Sequence, residues 1–273
     1  MISVLNSVSQ LGAENALAST QASLQNTLLQ LSTGLKINSG SDDAAGLSIA
    51  AGLGASISAL TQSSQNAADG IGFAQTADGA LSQVTSLLNR AVTLATEAAN
   101  GGLTTDQASA AQAEYTSILT EIGNIGSTTN FNGTPVFGSG TSVFTSDGTA
   151  AGNSTVSVAP GTLTAAGLGL SSAATALTST ATATTELAAI TKAIDTVSAT
   201  RGTIGASVNQ LTAAENVENT QVTNLTSAQN NVQNADISTT VAKMTQYNVL
   251  EQTGMAALSQ SNQAQQAVLK LLQ

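Results

Sequence analysis

The sequence predicts a mainly α-helical protein: a long helical bundle flanked by terminal coiled-coil helices, with a small β-hairpin region in the middle of the chain. Three observations carry this reading. First, Leu187, Ile190, Ile194, Val197, Arg201, Ile204, Val208, Leu211, Glu215, Glu218, Val222, Leu225, Gln229 and Val232 follow one another in alternating steps of three and four. That is the heptad seam of a helix lying lengthwise against other helices. At about 1.5 Å per residue it is roughly 70 Å long, more than a compact core requires. Second, segments 44–98 and 105–125 carry seams of the same period, so partners for the long helix lie within the chain. Third, residues 131–180 drop the helical rhythm: Gly, Ser and Thr dominate, and both prolines and three of the four phenylalanines fall here.

Composition narrows the function. Charged residues make up 8% of the chain and aromatics 2%, against about 25% charged in an ordinary protein. Ala, Ser, Thr, Asn, Gln and Gly fill the gap, which suits a thin, close-packed core between side-by-side helices. The net charge of −10 reflects only six Lys and Arg. Such a chain lacks the clustered cations that nucleic acid or an anionic membrane surface requires. With no Cys and no His, disulfides, thiol nucleophiles, His-based zinc sites and Ser-His-Asp triads are excluded. No catalytic residue, metal site or cofactor is expected. The first residues lack the charged and apolar regions of a cleavable signal. No run of 18 apolar residues occurs, so membrane insertion is not expected.

The first element is an amphipathic helix over residues 1–35, with a stripe of Val4, Val8, Leu11, Leu17, Leu24, Leu28, Leu31 and Leu35 and a single charge, Glu14. Its remaining surface is Ser, Thr, Asn and Gln, a face that packs against other molecules without the cost of burying ions. Residues 34–41 break the helix. Ser39 or Ser41 is expected to cap the next one, with Asp42 and Asp43 in its first turn, where the helix dipole favours anions. A metal-binding role for that acidic pair is disfavoured, since no third acidic ligand lies nearby in sequence. Asp69-Gly70 either interrupts this helix or is run through, and Asn100-Gly101-Gly102 stops it.

Thr104 or Thr105 starts a third helix, closed by Gly126 and the run from Asn130 to Pro135. Val136-Phe137, Ser142-Val143-Phe144 and the stretch 155–158 read as short strands, with Asp147-Gly148 and Gly152-Asn153 as turns. After the long seam, Asn234-Ala235-Asp236 breaks the pattern. A final helix is expected to present Val241, Met244, Asn248, Glu251, Met255, Leu258, Asn262, Gln265, Leu269 and Leu272. From Met244 onward its only charges are Glu251 and Lys270. The two chain ends share this amphipathic, nearly ionless character, which suggests that they meet.

Residues 31–39, Leu-Ser-Thr-Gly-Leu-Lys-Ile-Asn-Ser, continue into Asp42-Asp43-Ala44-Ala45-Gly46-Leu47-Ser48-Ile49-Ala50. This long, specific motif resembles the N-terminal signature of bacterial flagellin; Gly34, Ile37, Asp42, Asp43, Gly46 and Leu47 are its signature positions here. Asn130-Phe131-Asn132-Gly133 resembles the close of that family's N-terminal helical region. Thr223-Asn224-Leu225-Thr226, Asn234-Ala235-Asp236 and the tail from Val268 to Gln273 resemble its C-terminal end. The resemblance covers roughly 1–137 and 186–273.

The resemblance implies an antiparallel helical domain built from both halves of the chain and a terminal coiled coil formed by its two ends. The corresponding division is 1–40 (N-terminal helix and linker), 41–137 (N-terminal part of the helical core), 138–185 (short variable region), 186–235 (long core helix) and 236–273 (C-terminal helix). It further implies a subunit that polymerises with copies of itself into the flagellar filament for swimming motility. Such a subunit is exported through the flagellar export apparatus without a cleaved signal and located outside the cell. A flagellin chaperone, the filament cap and hook-associated proteins would be partners. On this reading the terminal positions Val4 to Leu35, with Met255, Leu258, Leu269 and Leu272, carry subunit assembly. Arg90 and Leu94 fall where relatives touch neighbouring subunits or the innate immune flagellin receptor, although an Arg and a Glu of the family pattern are absent beside them.

Three alternatives are separable. A hook–filament junction protein shares the terminal motifs but usually differs in the middle. A coiled-coil adaptor gives an oligomer of fixed size, whereas a filament subunit grows open-endedly through heterologous contacts. An enzyme on the same scaffold would need a catalytic insert, for which 131–180 is too short.

Overall fold

The computed structural model describes residues 2–148, 154–171 and 175–271, with the side chains of 2–7, 9, 265 and 268–271 outside the description. The side chains of Val4 and Leu269, all of Leu272 and the expected Gly152-Asn153 turn therefore lie outside the described residues. The described elements are α1 (Ile2–Thr33), α2 (Ala44–Ala99), α3 (Thr105–Thr128), β1 (Asn130–Phe131), β2 (Thr134–Pro135), β3 (Thr141–Phe144), β4 (Thr155–Val158), α4 (Thr180–Gln233) and α5 (Ile237–Leu271). The fold is mainly α, with two small antiparallel hairpins in the middle of the chain. Two compact units emerge: Met1–Ala55 with Leu225–Gln273, and Ser56–Asn224.

In the second unit α2 and α4 run antiparallel. Arg201 Nε reaches Asp78 Oδ1 at 2.7 Å, and Ser63 Oγ donates to Glu218 Oε1 at 2.6 Å. Ala74, Ala77, Leu81, Val84, Leu88 and Ala91 of α2 are buried with Ile190, Val197, Ile204 and Leu211 of α4 and with Tyr115, Ile118 and Ile122 of α3. The many alanines let the helices pack closely. Every position of the expected α4 seam is buried or half-buried, because the partner is the rest of the same chain. α2 runs straight through Asp69-Gly70. Thr104 is the N-cap of α3, in a reciprocal capping box with Gln107.

The hairpin region departs from expectation in one place. Val136 and Phe137 are not a strand; they are core residues in the loop that follows β2. The strands lie just before them, because Asn132 (φ 49°) and Gly133 (φ 78°) both take positive φ, which makes a tight Asn-Gly hairpin turn between Phe131 and Thr134. Phe131 packs edge-on against Phe73 of α2, with ring centres 6.2 Å apart. β3 and β4 pair as expected, Val143 opposite Val156. No uninterrupted run of 18 apolar residues occurs, yet by length and composition one 18-residue stretch of α2 is apolar enough to cross a membrane. Only 17% of that stretch is buried within the chain.

Candidate assembly surface

The first unit is organised by the break between α1 and α2. Gly34 (φ 73°) follows the last residue of α1, a left-handed position suited to glycine. Its carbonyl accepts from Ala235 N–H at 2.9 Å, and Lys36 N–H donates to Gln233 O at 2.7 Å. These bonds tie the end of α1 to the entry of α5. Here the structure corrects the expected cap. Asp42 and Asp43 precede the helix instead of sitting in its first turn. Asp43 Oδ1 accepts from Gly46 N–H at 2.9 Å, making Asp43 itself the N-cap. Asp42 Oδ2 accepts from the backbone N–H groups of Asn38 and Ser39 and from the Ser39 hydroxyl, and those bonds hold its carboxyl below the usual carboxylate range.

Ile37 is buried under this loop. A Cβ at Gly46 would fall 2.5 Å from Asp43 Oδ2 and 2.6 Å from Ile37 Cδ1, so the cap and the buried isoleucine exclude any side chain there. Leu47 N–H closes the first helical turn onto Asp43 O. All six signature positions thus belong to one folded corner.

From that corner α1 and α5 run antiparallel and in contact. The α1 face turned inward is Gln10, Ala13, Leu17, Thr20, Leu24, Thr27, Leu31 and Gly34. Leucine recurs at one heptad position and small or hydroxyl residues at the other. The inward face of α5 is Thr240, Met244, Tyr247, Glu251, Gly254, Leu258 and Ser261. Gln21 Nε2 donates to Glu251 Oε1 at 3.1 Å, and a Cβ on Gly254 would lie 3.4 Å from Leu17 Cδ1. Thr27 and Thr240 are buried because each turns its hydroxyl back onto its own helix, to Ser23 O and Asp236 O.

This seam differs from the expected one. Leu17, Leu24, Leu31, Leu35 and Leu258 face inward, but Val8, Leu11, Leu28 and Met255 do not. On α5 the face slips by one residue, so that Thr240, Tyr247, Gly254 and Ser261 take the places assigned to Val241, Asn248, Met255 and Asn262. The reason is close packing: glycine, threonine and serine let the two helices approach, while larger apolar residues are left outside. Val8 (65% exposed), Leu11 (59%), Leu28 and Leu29 on α1 stand open, as do Ile237, Val241, Val249, Leu250 and Met255 (50%) on α5. Each end helix therefore leaves several large apolar side chains exposed outside the α1–α5 contact.

The expected contact pair behaves differently. Arg90 is exposed and grips Glu114 of α3 in a two-pronged ion pair, Nε–Oε1 2.6 Å and Nη2–Oε2 2.9 Å, which raises the arginine and lowers the glutamate titration. Leu94 is 2% exposed. It lies on the core side of α2, so the surface contact expected of it is withdrawn.

Two buried carboxylates were not singled out as sites by the sequence reading. Glu186 accepts from the Tyr115 hydroxyl and from Ser171 N–H. Glu218, one of the polar positions of the long seam, is 4% exposed, and its Oε2 has no hydrogen-bond partner. Among the described residues no group of three or more Asp and Glu converges as a metal cluster would.

Comparison with known proteins bears on this surface. The bacterial flagellin N-terminal helical region matches residues 4–142, and the bacterial flagellin C-terminal helical region matches residues 187–272. The chain is 44% identical to the flagellin of Serratia marcescens over 140 residues, covering 51% of this chain and 40% of that protein. It is 44% identical to the flagellin of Salmonella muenchen over 131 residues, covering 48% of this chain and 26% of that one. The matches therefore take in well under half the length of these relatives. The crystal structure of Bacillus cereus flagellin aligns with a TM-score of 0.49 at 27% identity, over 56% of this chain and 88% of that one. With one flagellin region spanning more than half of the chain and a second covering α5 and α4 from residue 187 on, the chain belongs to the bacterial flagellin family.

Proposed function

We propose that this chain is a structural, non-enzymatic subunit that polymerises with copies of itself into the extracellular flagellar filament of a swimming bacterium. The observation that carries the proposal is the set of large apolar side chains left exposed on the paired end helices. Large apolar residues set among uncharged polar ones form a surface that a neighbouring subunit covers without desolvating ions. Heterologous contacts through such a surface that do not close on themselves generate an open-ended helical filament. In this reading residues 1–40 and 236–273 form the inner, polymerising part, 41–137 with 186–235 form the supporting bundle, and 138–185 faces outward.

Export through the flagellar apparatus, with a chaperone before release and with cap and hook-associated proteins at the filament's ends, belongs to the same proposal. The test is direct. The purified chain, seeded or treated with a precipitating salt, is viewed by negative-stain microscopy. Long tubes of uniform width support the filament role, and particles of constant size refute it.

A further inference from the structure

The chain holds two Asn-Gly pairs, Asn100-Gly101 and Asn132-Gly133, and both asparagines are exposed. An asparagine followed by glycine is open to a reaction within its own backbone, because glycine has no Cβ to keep its nitrogen away from the preceding side chain. The two pairs sit in unlike surroundings. Asn132 and Gly133, with φ of 49° and 78°, form the turn between β1 and β2. That turn is pinned on both sides. Phe131 pairs with Thr134 and packs edge-on against Phe73, while Val136 is buried and its N–H donates to Thr129 O at 3.1 Å. Asn100 instead follows the last residue of α2 and lines an open groove with Val92, Thr96 and Glu97. Among the described residues its backbone is tied by Asn100 N–H to Glu97 O at 3.2 Å. Gly101 takes a φ of 68°, a Cβ on Gly102 would meet nothing within 4 Å, and Thr104 already caps α3.

We propose that Asn100 is a site of spontaneous deamidation, and that the folded hairpin protects Asn132 from the same reaction. In base the Gly101 backbone nitrogen loses its proton and attacks Asn100 Cγ. The new N–Cγ bond closes a five-membered succinimide, and the Cγ–Nδ2 bond breaks, releasing the side-chain nitrogen as ammonia. Water then opens the ring at either carbonyl, giving aspartate or isoaspartate. One water is consumed and one ammonia released, with no change of oxidation state. Ring closure turns the asparagine main chain out of the left-handed conformation of an Asn-Gly hairpin turn, so Asn132 reacts only when the hairpin opens. At Asn100 the same rotation breaks one hydrogen bond and moves two glycines. The product bears on the fold. A carboxylate at the C-terminal end of α2 opposes the helix dipole and stands three residues from Glu97, a like-charge pair. Isoaspartate also adds a carbon to the main chain just before the left-handed glycine that ends the helix.

The test incubates the unassembled full-length chain in mildly alkaline buffer, once folded and once in guanidinium chloride. Samples taken over time are cut with glutamyl endopeptidase, whose cleavage after Glu97, Glu114 and Glu121 puts the two asparagines on different peptides. Mass spectrometry follows the amide-to-acid conversion of each peptide, and isoaspartyl methyltransferase labels the isoaspartate. In the folded chain Asn100 is expected to convert roughly tenfold faster than Asn132, or more, and in the unfolded chain the two rates should agree within about twofold. Aspartate and isoaspartate both form, and the rate climbs with pH. Conversion in the folded chain that is as fast at Asn132 as at Asn100 would overturn the proposal. So would an Asn100 that stays intact while the unfolded chain reacts. Aspartate without isoaspartate would mean direct hydrolysis of the amide and would overturn the succinimide route.

Discussion

The Tyr115 hydroxyl on α3 donates to the Glu186 carboxylate on α4, and both side chains are buried in the core of the second unit. Ser171 N–H supplies Glu186 with a second bond at 2.9 Å. Tyr115→Phe keeps the ring but leaves the carboxylate short of a donor. A hydrogen bond to a charged group contributes about 1.5–3 kcal/mol, and a loss of that order is expected in urea unfolding at pH 7.

The same pair sets an alkaline limit. Burial first, then the bond to Glu186 and its charge, push the Tyr115 pKa well above its ordinary 10.0. Above pH 10 the unfolded chain loses this proton and the folded chain keeps it, so stability falls as pH rises. Melting temperature measured from pH 9 to 11 should decline more steeply in the wild type than in Tyr115→Phe; parallel curves would show that Tyr115 plays no part.

Glu218 has the opposite consequence for substitution. Its folded pKa lies above the ordinary 4.5, mainly through burial. The folded chain therefore holds a proton that the unfolded chain releases. Stability is lost as pH climbs from the unfolded value through the folded one. Glu218→Gln should raise the melting temperature at pH 7, and the gain should vanish below pH 4. A variant less stable at pH 7 would mean that the ionised carboxylate is compensated.

Gly126 marks a contact with no slack. A Cβ there would sit 2.0 Å from the Leu163 carbonyl oxygen, a backbone atom that cannot swing aside. Gly126→Ala should cost about 1–3 kcal/mol through overpacking, seen as a lower urea midpoint. Gly79→Ala, where a Cβ meets nothing within 4 Å, should be neutral or stabilising by up to about 1 kcal/mol.

Much of this was legible because large apolar residues at heptad spacing have one good use inside a bundle. The α4 seam is the clear case, down to the half-buried Arg201 that finds Asp78 across the helix pair. The α5 face was misread for a physical reason. Its partner-facing positions are Thr240, Tyr247, Gly254 and Ser261, which a count of apolar residues passes over, while Val249 and Leu250 remain outside. A seam drawn from the large apolar residues of α5 therefore misses the small and hydroxyl ones that face α1. Likewise, Asp43 lies two residues beyond Ser41, the nearer of the expected caps, and although Glu218 sits on the α4 seam, nothing in the local pattern shows that it is buried more deeply than Glu215 beside it or that Glu186 is buried at all. Burial of a carboxylate depends on what folds over it from far along the chain, here β3 and α3.

The central claim is that the exposed apolar sides of the end helices are the polymerising surface. Val8, Leu11 and Met255 are at least half exposed, so replacing them by serine should alter the stability of the isolated subunit by no more than about 0.5 kcal/mol each. The decisive measurement is filament length by negative-stain microscopy for the wild type and the Val8→Ser/Leu11→Ser/Met255→Ser chain, seeded identically and with their monomer melting curves compared. The account predicts long filaments from the first and unassembled subunits with an unchanged melt from the second. Filaments of equal length from both would contradict it.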